Sequence, residues 1–309
     1  MTGDVAGPRR VLGLDSGFFP TLNRRLFLKG VLAGASLAIA GAATGLPGRV
    51  IASPEYAVPS GASPSQAGAL DVGRLKVATE NFAKFTVPER DQTHALFNNT
   101  WGNPNGPHSA MIAAQWTPNR FEARASWDWP PWNNTYTQAW HSIYHGLDTA
   151  AGINTDNRFP FPISNYRSLT LDIPNVSVAA TGKWGLGFDM FLFKSATSWA
   201  PSNVQAEIFM MQKRQAYPNP TEMWSMSSCG VNYGCGKWAP NSNLYFFWRK
   251  DDPAVPFRLQ INIYDFINAL KARGIVQDSN VLTGVFFGVE PIEGSGTWRI
   301  DSYYATLTA

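Results

Sequence analysis

Trp184-Gly185-Leu186-Gly187-Phe188-Asp189-Met190-Phe191-Leu192 is the stretch that decides the fold class. Trp184, Leu186, Phe188, Met190 and Leu192 fall on one side of a period of two, and Gly185, Gly187, Asp189 and Phe191 on the other. A period of two is the signature of a β-strand, whose successive side chains point to opposite faces. The first set is continuous and apolar, so it faces a core. The second set carries one carboxylate among glycines and a ring.

Three further segments repeat this pattern. Val204 to Gln212 sets Ala206, Ile208 and Met210 against Gln205, Glu207, Phe209 and Met211. Val281 to Glu290 sets Val285, Phe287 and Val289 against Gly284, Phe286, Gly288 and Glu290. Phe121 to Trp129 alternates apolar and polar along its whole length. One segment, Ile263 to Gly274, has helical spacing, with Ile263, Phe266, Ile267 and Leu270 on one face and Gly274 as a stop. Many strands, Gly/Pro/Asn turns and a single helix predict an antiparallel β-sandwich.

In a sandwich the aliphatic faces pack against the opposite sheet. Asp189, Glu207 and Glu290 then share the other face with Phe191, Phe209, Met211 and Phe286. An ordinary solvated face would carry Lys, Thr and Ser. Acids among rings, with glycines leaving room for close approach, suit a neutral polar ligand such as a sugar, whose C–H faces stack on aromatic rings.

The rest of the chain sets the context. It has 309 residues, 13% of them aromatic and only 15% charged, which excludes a disordered protein. All twelve tryptophans lie between Trp101 and Trp298. Residues 1–52 hold six basic and two acidic residues, leaving 19 basic and 20 acidic for the remainder. That balance excludes a nucleic-acid binder held by phosphate contacts. Asn23-Arg24-Arg25-Leu26-Phe27-Leu28-Lys29 resembles the twin-arginine export motif. A weakly apolar Ala/Gly-rich segment follows it, from Gly30 to Leu46, too short to span a membrane, and a cleavage point is expected after Ala52. Residues 53–70 are rich in Pro, Ser, Gly and Ala and read as a flexible tether. The chain thus divides into an export signal (1–52), a linker (53–70) and one folded domain (71–309), secreted to the periplasm or the medium through the twin-arginine translocase and free of the membrane thereafter. Cys229 and Cys235, spaced C-x5-C in a Gly-rich stretch, are expected to form a local disulfide in an oxidising compartment. No zinc spacing appears, and neither metal nor cofactor is expected.

Gly288-Val289-Glu290-Pro291-Ile292-Glu293-Gly294 resembles the Gly-x-Glu-Pro-aromatic-x-Gly signature of family 12 glycoside hydrolases. Four more segments match that family in order: Asn98-Asn99-Thr100-Trp101-Gly102, Ser142-Ile143-Tyr144-His145-Gly146, Phe188-Asp189-Met190-Phe191-Leu192, and Ala206-Glu207-Ile208-Phe209-Met210-Met211. The resemblance covers roughly residues 80–309. It implies a jelly-roll sandwich with a concave substrate cleft and an endo-acting β-1,4-glucanase or xyloglucanase. Glu207 matches the nucleophile, Glu290 the general acid/base, and Asp189 the carboxylate that orients the nucleophile. Asn99, Trp101, Tyr144, Phe209 and Met211 are the expected substrate-binding positions, and the enzyme is expected to act on β-glucan as a monomer. Met211 replaces the family's usual Trp, Phe209 its Met, and Ile292 its aromatic residue. Glu293, three positions past Glu290, is a rival acid. Two alternatives share the fold: a non-catalytic glycan-binding sandwich and a β-glycanase acting on xylan.

Overall fold

The structure, a computed structural model, describes residues 73–100, 109–129, 139–149 and 152–309. The export motif, the tether, Trp101 and Trp132 lie outside the described residues. The described residues form two sheets packed face to face, with one α-helix, Ile263–Lys271. This is the sandwich that the alternation predicts, in the jelly-roll form that the resemblance implies.

The outer sheet runs in the order Arg74–Ala78, Ser109–Thr117, Arg120–Trp129, the second half of Gly284–Ile300, Ser168–Ala180 and Phe257–Asn262. The inner sheet runs Lys84–Glu89, Gln92–Asn99, Trp140–Asp148, the first half of Gly284–Ile300, Lys183–Phe193, Val204–Gln215, Leu244–Arg249, Val231–Lys237 and Trp224–Ser228. One neighbouring pair departs from the antiparallel expectation: Leu244–Arg249 runs parallel to Val204–Gln215. The Trp224–Lys237 hairpin lies between them in sequence, so the chain returns in its original direction before pairing.

Gly284–Ile300 belongs to both sheets. Up to Glu293 it pairs within the inner sheet, and from Gly294 it pairs with Arg120–Trp129 in the outer one. The sequence suggests a Gly-Ser-Gly turn at this point; instead the strand continues through it. Gly294 makes the switch possible. Its φ is +99°, and a Cβ there would lie 2.2 Å from the Thr181 carbonyl oxygen, so only glycine fits without displacing that strand.

The core lies between the sheets and follows the period-two reading residue by residue. Leu186, Phe188, Met190 and Leu192 are buried in it, as are Ala206, Ile208, Met210, Val285, Phe287 and Val289. Trp298 meets Phe287 edge-on at 5.9 Å, and Phe188 lies 4.9 Å from Phe287. The helix begins where the Asn262 side chain accepts a hydrogen bond from the Tyr264 amide, an N-cap. It drives Phe266 against Tyr233 and Phe247, each with ring centroids 5.0 Å away. It ends at Lys271, before Gly274.

Candidate active site

The other face of the inner sheet carries a second apolar cluster, built from Ala95, Phe97, Trp140, Tyr144, Phe209, Met211, Tyr217, Leu244, Phe246, Trp248, Phe286 and Ile292. Strand register arranges this face in rows. One row runs Ala95, Tyr144, Phe286, Asp189, Phe209, Phe246. The next runs Phe97, Ser142, Gly288, Gly187, Met211, Trp248. The first row is a band of rings broken by a single carboxylate. The second contains a lane of small residues, Ser142, Gly288 and Gly187.

The three acids are distributed around these rows. Glu207 pairs with Phe191, and Asp189 pairs with Phe209 on the same two strands. Glu207 and Asp189 are therefore diagonal neighbours, within about 8 Å at their Cβ atoms. Glu290 lies on the far side of the Asp189 strand, opposite Gly185. The ring band and the glycine lane separate it from Glu207. Along a flat strand the six steps from Gly185 to Phe191 would span about 20 Å.

This face is not flat. Trp140 and Phe209 belong to strands with two others between them, about 14 Å apart in a flat sheet, yet their ring centroids are 5.5 Å apart. Side chains converge in this way only on a concave surface. A bulge contributes: the Lys183–Phe193 and Val204–Gln215 register slips between Leu186 and Gly187, leaving Gln212 as the extra residue. Such a bulge bends its strand and sharpens the local twist.

Asp189 and Glu207 are each 8% exposed and Glu290 3%. A carboxylate so far from water is costly unless hydrogen-bonded. Glu290 has such a bond: the Tyr217 hydroxyl donates to its Oε2. Tyr217 in turn stacks at 6.0 Å and 8° on Phe246, which stacks on Phe209 at 5.3 Å and 13°. Burial, aided by the Asp148 charge, pushes the Tyr144 phenol far above its ordinary pKa, so it remains a neutral hydroxyl. Glu293 has a different environment, more exposed and paired with Lys183 at 3.0 Å.

One corner of the concave face is rich in unmet polar atoms. Asn99 lies opposite Trp140, and Ser142 and Tyr144 follow along the same strand. Among the described residues, the Asn99 side-chain amide, Trp140 Nε1, Ser142 Oγ and Tyr144 Oη are buried with no hydrogen-bond partner. Each such group costs about 1–3 kcal/mol unless something bonds to it. The two expected binding positions Asn99 and Tyr144 thus stand together on this face. Phe209 and Met211, also expected to bind substrate, are as deeply buried as Asn99 and Tyr144 and lie within the ring layer. Trp101 lies outside the described residues. Sequence reasoning did not single out Tyr217 or Phe246 for this face. Their only signal was an aromatic residue in a loop and an unbroken apolar run.

The expected disulfide is corrected by the structure: both cysteines are free. Cys229 forms the tip of a hairpin in which Ser228 pairs with Val231 and Trp224 with Cys235. The four steps from Val231 to Cys235 span about 13 Å, beyond the roughly 7 Å Cα separation a disulfide tolerates. Cys235 is buried, which pushes its thiol pKa up.

No protein-family model and no curated protein matches the chain. Solved structures do. A family 12 xyloglucanase from Bacillus licheniformis superposes with a TM-score of 0.64 at 20% identity, over 75% of this chain and 99% of that one. Endoglucanase 3 of family 12 from Trichoderma harzianum gives 0.62 at 16%, over 79% and 100%. An endoglucanase from Rhodothermus marinus gives 0.61 at 15%, over 75% and 99%. At these identities the likeness is one of architecture, and the architecture of this chain is the fold of the family 12 glycoside hydrolases.

Proposed function

We propose that the chain is a secreted, cofactor-free, retaining endo-β-1,4-glucanase acting on cellulose-like, mixed-linkage or xyloglucan chains. The observation that carries this reading is the concave face itself. It sets three buried carboxylates around a ring band and a glycine lane, with unpartnered Asn99, Trp140, Ser142 and Tyr144 atoms beside them. Rings suit the C–H faces of a glucan, and amide, indole and hydroxyl groups suit its hydroxyls. The proteins of like fold named above are a xyloglucanase and two endoglucanases.

In this mechanism Glu290 gives a proton to the glycosidic oxygen while ionised Glu207 attacks the anomeric carbon. The leaving chain departs and a glycosyl–Glu207 ester remains. Glu290, now ionised, takes a proton from water, which attacks the same carbon and frees Glu207. Asp189, diagonal to Glu207, orients the nucleophile. Direct attack needs the two carboxyls about 5–5.5 Å apart, whereas about 6.5–9.5 Å leaves room for water and inverts the product. The retaining reading requires the shorter distance, and the inward bend of the inner sheet, which draws Trp140 and Phe209 together across two strands, supports it.

Export through the twin-arginine translocase belongs to the same proposal, supported by Arg24-Arg25 ahead of the weakly apolar segment. Reducing-end release from cellulose, mixed-linkage glucan, xyloglucan and xylan tests the function. Hydrolysis of one or more of the glucans is expected. Cleavage of xylan alone would move the assignment to xylanase, and binding without hydrolysis would make the chain a lectin-like sandwich.

A further inference from the structure

Tyr217 follows the strand that carries Glu207, yet its hydroxyl ends on Glu290, two strands away. The residue it crosses is Gly185, the register partner of Glu290. A Cβ on Gly185 would lie 3.0 Å from Tyr217 Cδ2 and 2.2 Å from Met211 Cε. Glycine at 185 is thus what lets the phenol ring and the methionine lie across this strand. The ring is fixed from behind by its near-parallel stack on Phe246 and by Trp238 at 6.4 Å. Tyr217 is 6% exposed, so its hydroxyl has little competition from water.

We propose that Tyr217 is a positioning residue for Glu290, an inference that rests on the acid/base role assigned above. Its hydroxyl donates to Oε2 and so holds the carboxyl in one orientation. Donation to the ionised carboxylate favours that form, so Tyr217 also sets the pH above which Glu290 is no longer protonated. Other charged or titratable groups on the surrounding elements are few. Asp189 and Glu207 share the concave face, and Tyr144 faces it from the neighbouring strand. Arg214 is level with Gly185, and His141 lies beside Val289 on the opposite face. The Lys183–Glu293 pair lies just beyond Pro291.

Tyr217→Phe removes one oxygen and keeps the ring stack. The direct test is a ¹³C NMR titration of the Glu290 carboxyl in the wild-type chain and in Tyr217→Phe, a readout that does not need turnover. The Glu290 pKa is expected to rise by about one unit in the variant, the size of a lost hydrogen bond to a charged group. Gly185→Ala, which crowds the ring, is expected to shift it in the same direction. On a β-glucan, the alkaline limb of kcat/KM should move up by a similar amount, with kcat falling about tenfold and KM changing less than about twofold. An unchanged Glu290 pKa in Tyr217→Phe overturns the proposal. A wild-type chain that hydrolyses no β-glucan overturns the functional reading instead, while the titration still decides whether Tyr217 governs Glu290.

Discussion

Two clusters of buried acids in this molecule solve the same electrostatic problem differently. Below the concave face, at one end of the sandwich, Glu89 accepts from the Ser302 hydroxyl and the Tyr303 amide, and His94 Nε2 stands 3.4 Å away. The His94 ring lies tilted against His145 at 5.3 Å, His145 bonds Asp156 at 2.8 Å, and Arg158 closes the chain on Asp156 at 2.5 Å. Burial opposes ionisation of Asp156, but the bonds from His145 and Arg158 outweigh it and hold the carboxyl well below its usual range. Glu89 is lowered in the same way, by His94, Ser302 and Tyr303 against burial. On the concave face the register neighbours of the acids are rings and glycines, and several nearby polar atoms have no partner. The acids of the first set are met by donors of the fold itself. Those of the second lie among rings, glycines and the buried polar atoms of Asn99, Trp140, Ser142 and Tyr144, and on the function proposed above they serve a substrate, not the fold.

The largest effect that could break this contrast is on turnover. Glu207→Ala should lower kcat on every glucan by at least about 10⁴-fold, since the ester intermediate can no longer form. Its melting temperature should stay within a few degrees of wild type. Residual activity within tenfold would place the nucleophile elsewhere.

Asp156→Asn should do the reverse. It breaks the closed cluster and should cost about 2 kcal/mol of stability at pH 7, less than for a fully buried pair because Arg158 is 41% exposed. Specific activity of the folded variant should be unchanged. The depressed folded pKa also fixes a pH signature. Its stabilisation is complete above the unfolded aspartate value of about 3.9 and drains away as pH falls below it. Urea unfolding at pH 7 and at pH 3 should show the wild-type advantage shrinking in acid.

The smallest effect is expected at the corrected cysteines. Cys229→Ser should alter stability by less than about 0.5 kcal/mol, as befits an exposed side chain with no covalent partner. In the native wild-type chain Cys229 should react readily with a thiol reagent and Cys235 only on unfolding.

These contrasts mark what a single sequence can convey. Alternation is a local property, so the segment from Trp184 to Leu192 already reveals which side chains enter the core and which share a face with Asp189. The pairing of that strand with residues a hundred positions away is not local. Nothing in the chain near Gly185 says that Glu290 lies opposite, or that the phenol of Tyr217 crosses between them. The same limit explains the cysteines. C-x5-C reads as a loop closure, but Val231–Lys237 extends as a strand and carries Cys235 away from the hairpin tip. It also explains Gly294, read as part of a turn, which instead lets one strand pass from sheet to sheet a few residues after Glu290.

The most direct test of the account is the anomeric configuration of the first product, followed by ¹H NMR during hydrolysis of a soluble β-glucan. The account predicts a reducing end that appears first as the β anomer and then mutarotates, because two displacements at one carbon, the first by Glu207, retain configuration. An α anomer appearing first would mean that water attacks directly across a wider gap, and would contradict the role given to Glu207.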